Sequence, residues 1–299
     1  ETALPVAPPI AAISEAARAR HGDAVAAVIF YGSCLRIGSD EGKVVDLYLV
    51  VDGYRAAYGS GLRALFNRVL PPNVFYLETR FDGRCVRAKY AVVSSAQFAA
   101  GAGGRWFQPY LWARFAQPCR IVWCRDPAAR AAVVSALAGA ARKCVSEGLA
   151  LMGERFAAGD LWIALFRQTY RSELRSEPPE RAAEIHTADA AHYEALGAAV
   201  LPGLGARRRD GRATEWAKPA AQAGRPGFRW ALRRVQGKLL SVARLCKAAF
   251  TFQGGAEYLL WKIERHSGVS IALTPWQRRH PLLASTVLFW RLYRRGAFR

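Results

Sequence analysis

Residues 28–52 combine small and acidic side chains in a pattern that could bind phosphate and a metal ion. Gly32 and Ser33 follow an apolar run, and a second apolar run carries Asp46 at its start and Asp52 at its end. Glycine lets the backbone approach a phosphate closely, and N–H groups of such a turn can donate to phosphate oxygens together with the Ser33 hydroxyl. Carboxylates are hard oxygen ligands for Mg²⁺, which proteins bind through one or two carboxylates plus substrate phosphates. We therefore expect Gly32 and Ser33 to bind a nucleoside triphosphate, and Asp46 and Asp52 to bind Mg²⁺.

A strand, a tight Gly-Ser turn and a neighbouring strand with carboxylates form the layout of nucleotidyltransferases. In these enzymes the metal stabilises charge on the phosphoryl oxygens during an in-line displacement. Their usual pattern places a second acid two positions after the first, where this chain has Tyr48. The second metal carboxylate therefore stays open between Asp52, Glu78 and Asp82.

The chain is long enough for two domains and strongly basic. It has 299 residues, of which 52% are hydrophobic, and a net charge of +20. Such an excess of positive charge predicts attraction to a polyanion, which can be a nucleic acid, an anionic membrane or a phosphate-rich substrate. The six cysteines lack metal-binding spacing, which favours reduced thiols in a cytoplasmic protein.

The order of apolar runs predicts an α/β (α+β) fold. We expect a nucleotidyltransferase-fold mixed sheet with helices over residues 1–150, and a helical, basic domain over residues 151–299. Apolar runs on both sides of Asp82-Gly83 predict a hairpin, and Asp126-Pro127 predicts the start of a long helix. The segment Gly203–Gly227 is rich in Arg, Gly and Pro and predicts a loop or linker.

The C-terminal third combines basic and large apolar residues, which is typical of a surface that contacts anionic lipid. Phe228–Phe250 predicts a basic helix, and residues 276–295 continue this composition. No run is apolar and long enough to predict a transmembrane helix or a signal peptide. We expect a peripheral protein on the inner face of the cell membrane. The same composition also suits RNA, so nucleic acid stays open as a less favoured partner.

Several segments, in order, resemble the mitochondrial-type phosphatidate cytidylyltransferases, the peripheral CDP-diacylglycerol synthases named for translocator maintenance. The resemblance extends over most of residues 24–255. The abundance of Ala, Arg and Gly beside scarce Lys suggests a GC-rich genome, and with it a bacterial member of that family. The similar segments are Tyr31-Gly32-Ser33 with Val45-Asp46-Leu47 and Asp52, Pro72–Tyr76, Lys89–Ser94, Trp106 to Pro118 with Tyr110 and Arg114, Tyr170–Arg175, and Ser241–Gly254.

The resemblance implies that CTP and phosphatidate react, with Mg²⁺, to give CDP-diacylglycerol and pyrophosphate. Asp46 and Lys89 are the expected catalytic residues. Lys89 lies within a mostly apolar strand, where a phosphate partner would explain a cation. Arg114 and Arg175 could clamp the triphosphate or phosphatidate, with Tyr170 orienting that clamp.

Two other functions fit the same residues. One is a nucleotidyltransferase of the same fold that modifies RNA or a small molecule. The other is a degenerate, non-catalytic module that binds an anionic membrane or nucleic acid, a hypothesis kept open by Tyr48. The sequence leaves the nucleotide base, the acyl chains and the oligomeric state open.

Overall fold

The computed structural model describes residues 2–59, 61–174, 180–209, 212–219, 226–251, 274 and 277. Its largest sheet contains five strands, which are β1 Val25–Tyr31, β2 Val44–Val51, β3 Asn73–Phe81, β4 Arg84–Ser94 and β5 Cys119–Cys124. Their spatial order is β3-β4-β2-β1-β5. β2 and β4 are parallel, and the other neighbouring pairs are antiparallel. The mixed sheet confirms the predicted α/β class.

Seven α-helices accompany this sheet among the described residues of the first half of the chain. They are α1 Pro8–Ala19, α2 Ser33–Ile37, α3 Tyr54–Tyr58, α4 Gly61–Val69, α5 Ser95–Ala102, α6 Trp112–Phe115 and α7 Pro127–Leu149. The start of α7 is confirmed, because the Asp126 carboxylate accepts a hydrogen bond from the Ala129 N–H at 2.7 Å. Pro127 takes the first helical position, where a missing N–H costs nothing.

The sheet is buried on both faces because β1 and β2 are nearly continuous apolar runs. Alternate residues of β2 point to opposite sides. Leu47 and Leu49 lie in an apolar cluster with Ile13 of α1. Tyr48 and Val50 lie in a second cluster with residues of α5, α6 and α7. Asp46 therefore faces the same side as Tyr48, at the end of the strand where the apolar packing stops.

The predicted hairpin is confirmed. β3 and β4 pair from Asn73 with Val92 to Phe81 with Arg84. Asp82 and Gly83 have φ values of 49° and 75°, and two consecutive positive φ angles match the right-handed twist of a two-residue hairpin. The register of this hairpin fixes where Lys89 lies on the sheet.

After residue 150, the described part of the chain is mostly helical and contains one small sheet. Its elements are β6 Arg155–Ala157, α8 Ala158–Arg171, α9 Arg181–Ala188, α10 Ala190–Val200, β7 Arg207–Arg209, β8 Arg212–Ala217 and α11 Pro226–Thr251. The small sheet has the order β6-β8-β7. The loop prediction for Gly203–Gly227 is wrong where β7 and β8 form, because β8 pairs with β6 and buries Trp216. The basic helix predicted at Phe228–Phe250 is confirmed as α11.

One apolar cluster joins both halves of the chain. It contains Leu137 of α7, Trp162 of α8 and Trp230 of α11. Beside it, Arg233 is fully buried and donates to both carboxylate oxygens of Glu147 at 2.6 Å. The division at residue 150 stays a prediction, since this core contains residues from both sides of it.

The basic residues of α11 correct one expectation. Arg233, Arg244 and Lys247 were expected to contribute to a lipid-facing surface, but their side chains point into the protein. Arg244 donates to the Pro71 carbonyl, and Lys247 donates to the carbonyls of Leu70 and Pro72. Within the ranges that the structure describes, no helix combines the length and the apolar character needed to cross a bilayer.

Candidate active site

The Gly-Ser turn lies directly against Asp46. β1 ends at Tyr31, which is opposite Asp46 on β2. Gly32 has φ 90° and ψ −159°, a conformation that is essentially restricted to glycine. A Cβ atom at this position would lie 2.8 Å from the Asp46 Oδ2. Glycine is therefore required here by both the backbone conformation and the position of the carboxylate.

Ser33 begins α2, and the loop that follows is tied to the sheet. The first N–H groups of a helix have no partner within the helix, so those after Gly32 can donate to a ligand. The Cys34 thiol donates to the Val44 carbonyl at 3.3 Å, and burial raises the pKa of Cys34 to about 11. Farther along, Arg84 makes two hydrogen bonds to the Asp40 carboxylate. These contacts fix α2 beside the first residues of β2.

Asp46 and Lys89 form an ion pair across two parallel strands. The β2–β4 register places them opposite each other, and the distance from Lys89 Nζ to Asp46 Oδ1 is 3.2 Å. The Lys89 side chain is partly exposed, so its ammonium group can also reach a ligand. The cation predicted to need a partner thus has one in the protein, and both residues lie at the same edge of the sheet.

Arg114 lies among three tyrosines. Its Nη1 donates to the Tyr31 hydroxyl at 3.1 Å. The guanidinium carbon lies 4.7 Å from the centroid of the Tyr110 ring, 5.4 Å from that of Tyr31 and 6.0 Å from that of Tyr48. Stacking on aromatic rings suits arginine and holds its planar group in one orientation. Arg114 is therefore a fixed cation beside the Gly-Ser turn.

These residues line one cleft of about 750 Å³. Six of the predicted site residues are among its lining residues, namely Gly32, Ser33, Asp46, Lys89, Arg114 and Tyr170. The volume falls within the usual range for small-molecule sites, roughly 300–1,000 Å³. The structure therefore brings together residues from β1, β2, β4, α6 and α8 that are far apart in the sequence.

Three further charged residues of the cleft were missed. Arg36, Arg181 and Asp189 line it as well. Arg36 Nε lies 3.5 Å from Asp189 Oδ2, and its Nη2 donates to the Gln117 side chain at 3.5 Å. The position of Arg36, three residues after Ser33 on a short helix, could have indicated it. Arg181 and Asp189 come from a distant part of the chain that has no motif.

Asp52 does not share a site with Asp46. Asp46 is on β2 and Asp52 directly follows the end of this strand, six positions later, which separates the two residues by ~20 Å at about 3.3 Å per residue. Asp52 instead pairs with Arg125, whose Nη1 lies 2.5 Å from Asp52 Oδ2. This position contradicts the predicted metal pair of Asp46 and Asp52. The two ends of a strand lie at opposite edges of the sheet, so the two carboxylates cannot share one ion.

The two other candidates for a second carboxylate also lie apart from Asp46. Glu78 is on β3, and β4 separates that strand from β2. Its carboxylate accepts hydrogen bonds from Arg87 at 3.0 Å and from Tyr76 at 2.7 Å. Asp82 is in the turn of the hairpin. Arg175, the remaining predicted substrate ligand, lies outside the described residues.

Tyr48, at the position where the usual nucleotidyltransferase pattern has a second acid, packs among apolar residues. Tyr48 is fully buried, and its ring lies 5.0 Å from that of Phe115. Burial, more than any neighbouring charge, raises the pKa of Tyr48 well above its usual value, so its hydroxyl stays neutral. Tyr48 therefore supplies no anionic ligand to the cleft.

The donor set fits a magnesium ion that arrives with its nucleotide. Among the described residues, no group of three or more His, Cys, Asp or Glu side chains could hold a metal ion. Asp46 offers one carboxylate, and Mg²⁺ commonly takes its other ligands from substrate phosphates and water. Asp46 could therefore hold Mg²⁺ only together with ligands from a substrate, since the described residues form no all-protein metal cage.

Comparison with known proteins adds a weak structural similarity. No family model and no curated protein matches the chain. A solved structure similar to it is that of a nucleotidyltransferase-like protein from Exiguobacterium sibiricum 255-15. The TM-score is 0.30 and the identity 10%, over 97% of this chain and 92% of that chain. Similarity at this level carries no argument about function, so the site geometry has to supply it.

Proposed function

We propose that this chain is a CTP:phosphatidate cytidylyltransferase that forms CDP-diacylglycerol and pyrophosphate. The observation that carries the proposal is the convergence of Gly32-Ser33, Asp46, Lys89 and Arg114 on one cleft. A glycine turn, a carboxylate and fixed cations can bind a nucleoside triphosphate and stabilise the charge that develops when its nucleotidyl group is transferred.

The proposed reaction is an in-line displacement at the α-phosphorus of CTP. A phosphate oxygen of phosphatidate forms the new bond to that phosphorus, and the bond from the phosphorus to the β-phosphate oxygen breaks. Pyrophosphate leaves with the electron pair. Phosphatidate is already ionised near neutral pH, so the reaction needs no strong general base.

Each cleft residue has a role in this proposal. The Gly32-Ser33 turn binds the triphosphate through backbone N–H groups and the Ser33 hydroxyl. Asp46 holds Mg²⁺, which supplies charge stabilisation on the phosphate oxygens when bound. Lys89 and Arg114 bind the anionic substrates, and Arg114 can do so through two parallel hydrogen bonds because its plane is fixed by the tyrosines.

The composition of the cleft supports a lipid acceptor. Four of its lining residues are apolar, and they are Leu35, Pro118, Leu174 and Leu245. An apolar wall next to a cationic one suits a molecule with a phosphate head and an apolar body.

The test is transfer of label from CTP labelled at the α-phosphate to phosphatidate in the presence of Mg²⁺. We expect lipid-soluble label with the unchanged protein and its loss in Asp46→Asn. Asp52→Asn is the matched control, since it changes the same residue type at the other end of β2 and should leave transfer intact. Label that enters RNA, or no label in any lipid condition, would contradict the proposal.

A further inference from the structure

The outer face of α11 is apolar. Large apolar side chains recur every three or four residues and are 50 to 73% exposed. They are Phe228, Leu232, Val235, Leu239, Val242 and Leu245. The opposite side of the helix contains the buried Trp230, Arg233 and Lys247. A helix on a protein surface normally turns its apolar side inward, so this arrangement is reversed.

A second helix shows the same feature. In α4, Leu62, Leu65, Phe66 and Val69 are 39 to 75% exposed, whereas Ala64 and Asn67 are buried. The residues after α4 are bound to α11, because Lys247 and Arg244 donate to the carbonyls of residues 70–72. Hydrogen bonds therefore connect the C-terminal part of α11 to the residues that follow α4, so the two helices with exposed apolar faces are neighbours.

The charged residues on these two helices are all positive. Neither α4 nor α11 contains an Asp or Glu residue. Arg68, Arg229 and Lys238 are exposed on them. Contiguous exposed apolar side chains mark interaction sites, and flanking cations add attraction to anionic lipid. In a dimer formed through this face, like charges would meet, which makes a second copy of the chain a poorer occupant.

The apolar face of α11 also reaches the cleft. Leu245 belongs to that face and lines the cleft, and the exposed Leu174 lines it too. We propose that α11, with α4 beside its C-terminal part, forms a docking surface for an anionic membrane, and that α11 brings this surface to the mouth of the cleft. This proposal rests on the proposed function in one respect, because it names the lipid bilayer as the source of the acceptor.

The test measures binding of the full chain to vesicles by flotation. Phosphatidylcholine vesicles are compared with vesicles that also contain phosphatidylglycerol. We expect binding to the anionic vesicles, and a loss of about tenfold or more in Leu65→Glu and in Leu239→Glu, because each places a charge where an apolar side chain enters the interface. Val134→Glu is the matched control, since Val134 is an exposed apolar residue of α7 and is 43% exposed.

Two readouts separate this proposal from its rivals and from the proposed function. Unchanged vesicle binding in both variants would overturn it, as would a dimer seen by light scattering that Leu239→Glu converts to a monomer without affecting vesicle binding. With a water-soluble, short-chain phosphatidate, both variants should transfer label like the unchanged protein. If the surface binds vesicles but no label is transferred to either acceptor, the docking surface stands and the proposed function fails.

Discussion

Gly32→Ala tests whether the turn and Asp46 form one unit. The added Cβ would lie 2.8 Å from the Asp46 Oδ2 and 3.2 Å from its Cβ, so the carboxylate must move. Asp46 cannot move freely, because it belongs to a strand and forms an ion pair with Lys89. We therefore expect the substitution to remove the carboxylate from its position as well as to strain the backbone.

The loss of stability expected in Gly32→Ala has two contributions, which are backbone strain and displacement of the Asp46 carboxylate. A non-glycine residue in the conformation of Gly32 costs roughly 1–3 kcal/mol. The displaced carboxylate adds to this, so we expect a decrease of about 3 kcal/mol in the free energy of unfolding. Gly42→Ala is the matched control, because Gly42 also has a positive φ, 60°, but a Cβ there meets nothing within 4 Å. Gly42→Ala should lower the free energy of unfolding by only about 1 kcal/mol.

Urea denaturation and label transfer from CTP together check this prediction. Gly32→Ala should unfold at a lower urea concentration and lose transfer almost completely. Gly42→Ala should keep most of the transfer activity. Full activity in Gly32→Ala would refute the argument that Asp46 depends on the space that this glycine leaves open. Equal losses in both variants would show that backbone strain alone explains the effect.

Two further substitutions test the core and the cleft. Arg233→Met leaves the buried Glu147 carboxylate without its main partner, so the free energy of unfolding measured by urea denaturation should fall by about 3–5 kcal/mol. Adding Glu147→Gln removes the unpaired charge and should recover part of this free energy. Burial raises the pKa of Glu147, but hydrogen bonds from Arg233 and Lys143 lower it to about 2. The ionised Glu147 carboxylate therefore stabilises the fold above about pH 5, and this contribution is lost as the pH falls toward 2. If Glu147→Gln were as sensitive to acid as the unchanged protein, this explanation would be contradicted. Arg114→Lys keeps the charge but loses the stacked plane, so kcat/KM for CTP should fall about tenfold while urea denaturation changes little.

The sequence could predict the local parts of the fold because their signals are local. The hairpin at Asp82-Gly83 and the start of α7 at Asp126 depend on backbone preferences of a few residues. The small sheet was missed because β7 and β8 are short and rich in arginine. Their pairing depends on β6, which is about 50 residues earlier in the chain, and no local pattern reports it.

The site was predictable to the extent that its residues share a motif. Gly32, Ser33 and Asp46 lie close in the sequence, and the antiparallel pairing of β1 with β2 brings them together. Asp52 was misplaced because both ends of a strand look alike in a sequence, whereas they lie at opposite edges of the sheet. Asp189 could be found only once tertiary packing had placed α2 beside the junction of α9 and α10, whereas Arg36 lies three residues after Ser33.

Asp46 as a single candidate metal carboxylate need not make this cleft inactive, because cations can share the neutralisation of charge. Among the described residues, the cleft is lined by four cationic side chains, Arg36, Lys89, Arg114 and Arg181, and by two carboxylates, Asp46 and Asp189, of which Asp189 is paired with Arg36. Asp46 is positioned by Gly32 and paired with Lys89, and Arg114 is held by tyrosines, so these charges are oriented before any substrate arrives. Preorganised charges of this kind stabilise a transition state without having to rearrange during the reaction. In the proposed reaction, a triphosphate that brings Mg²⁺ would supply what the protein lacks at Tyr48, and the cationic side chains of the cleft would stabilise the pyrophosphate that leaves.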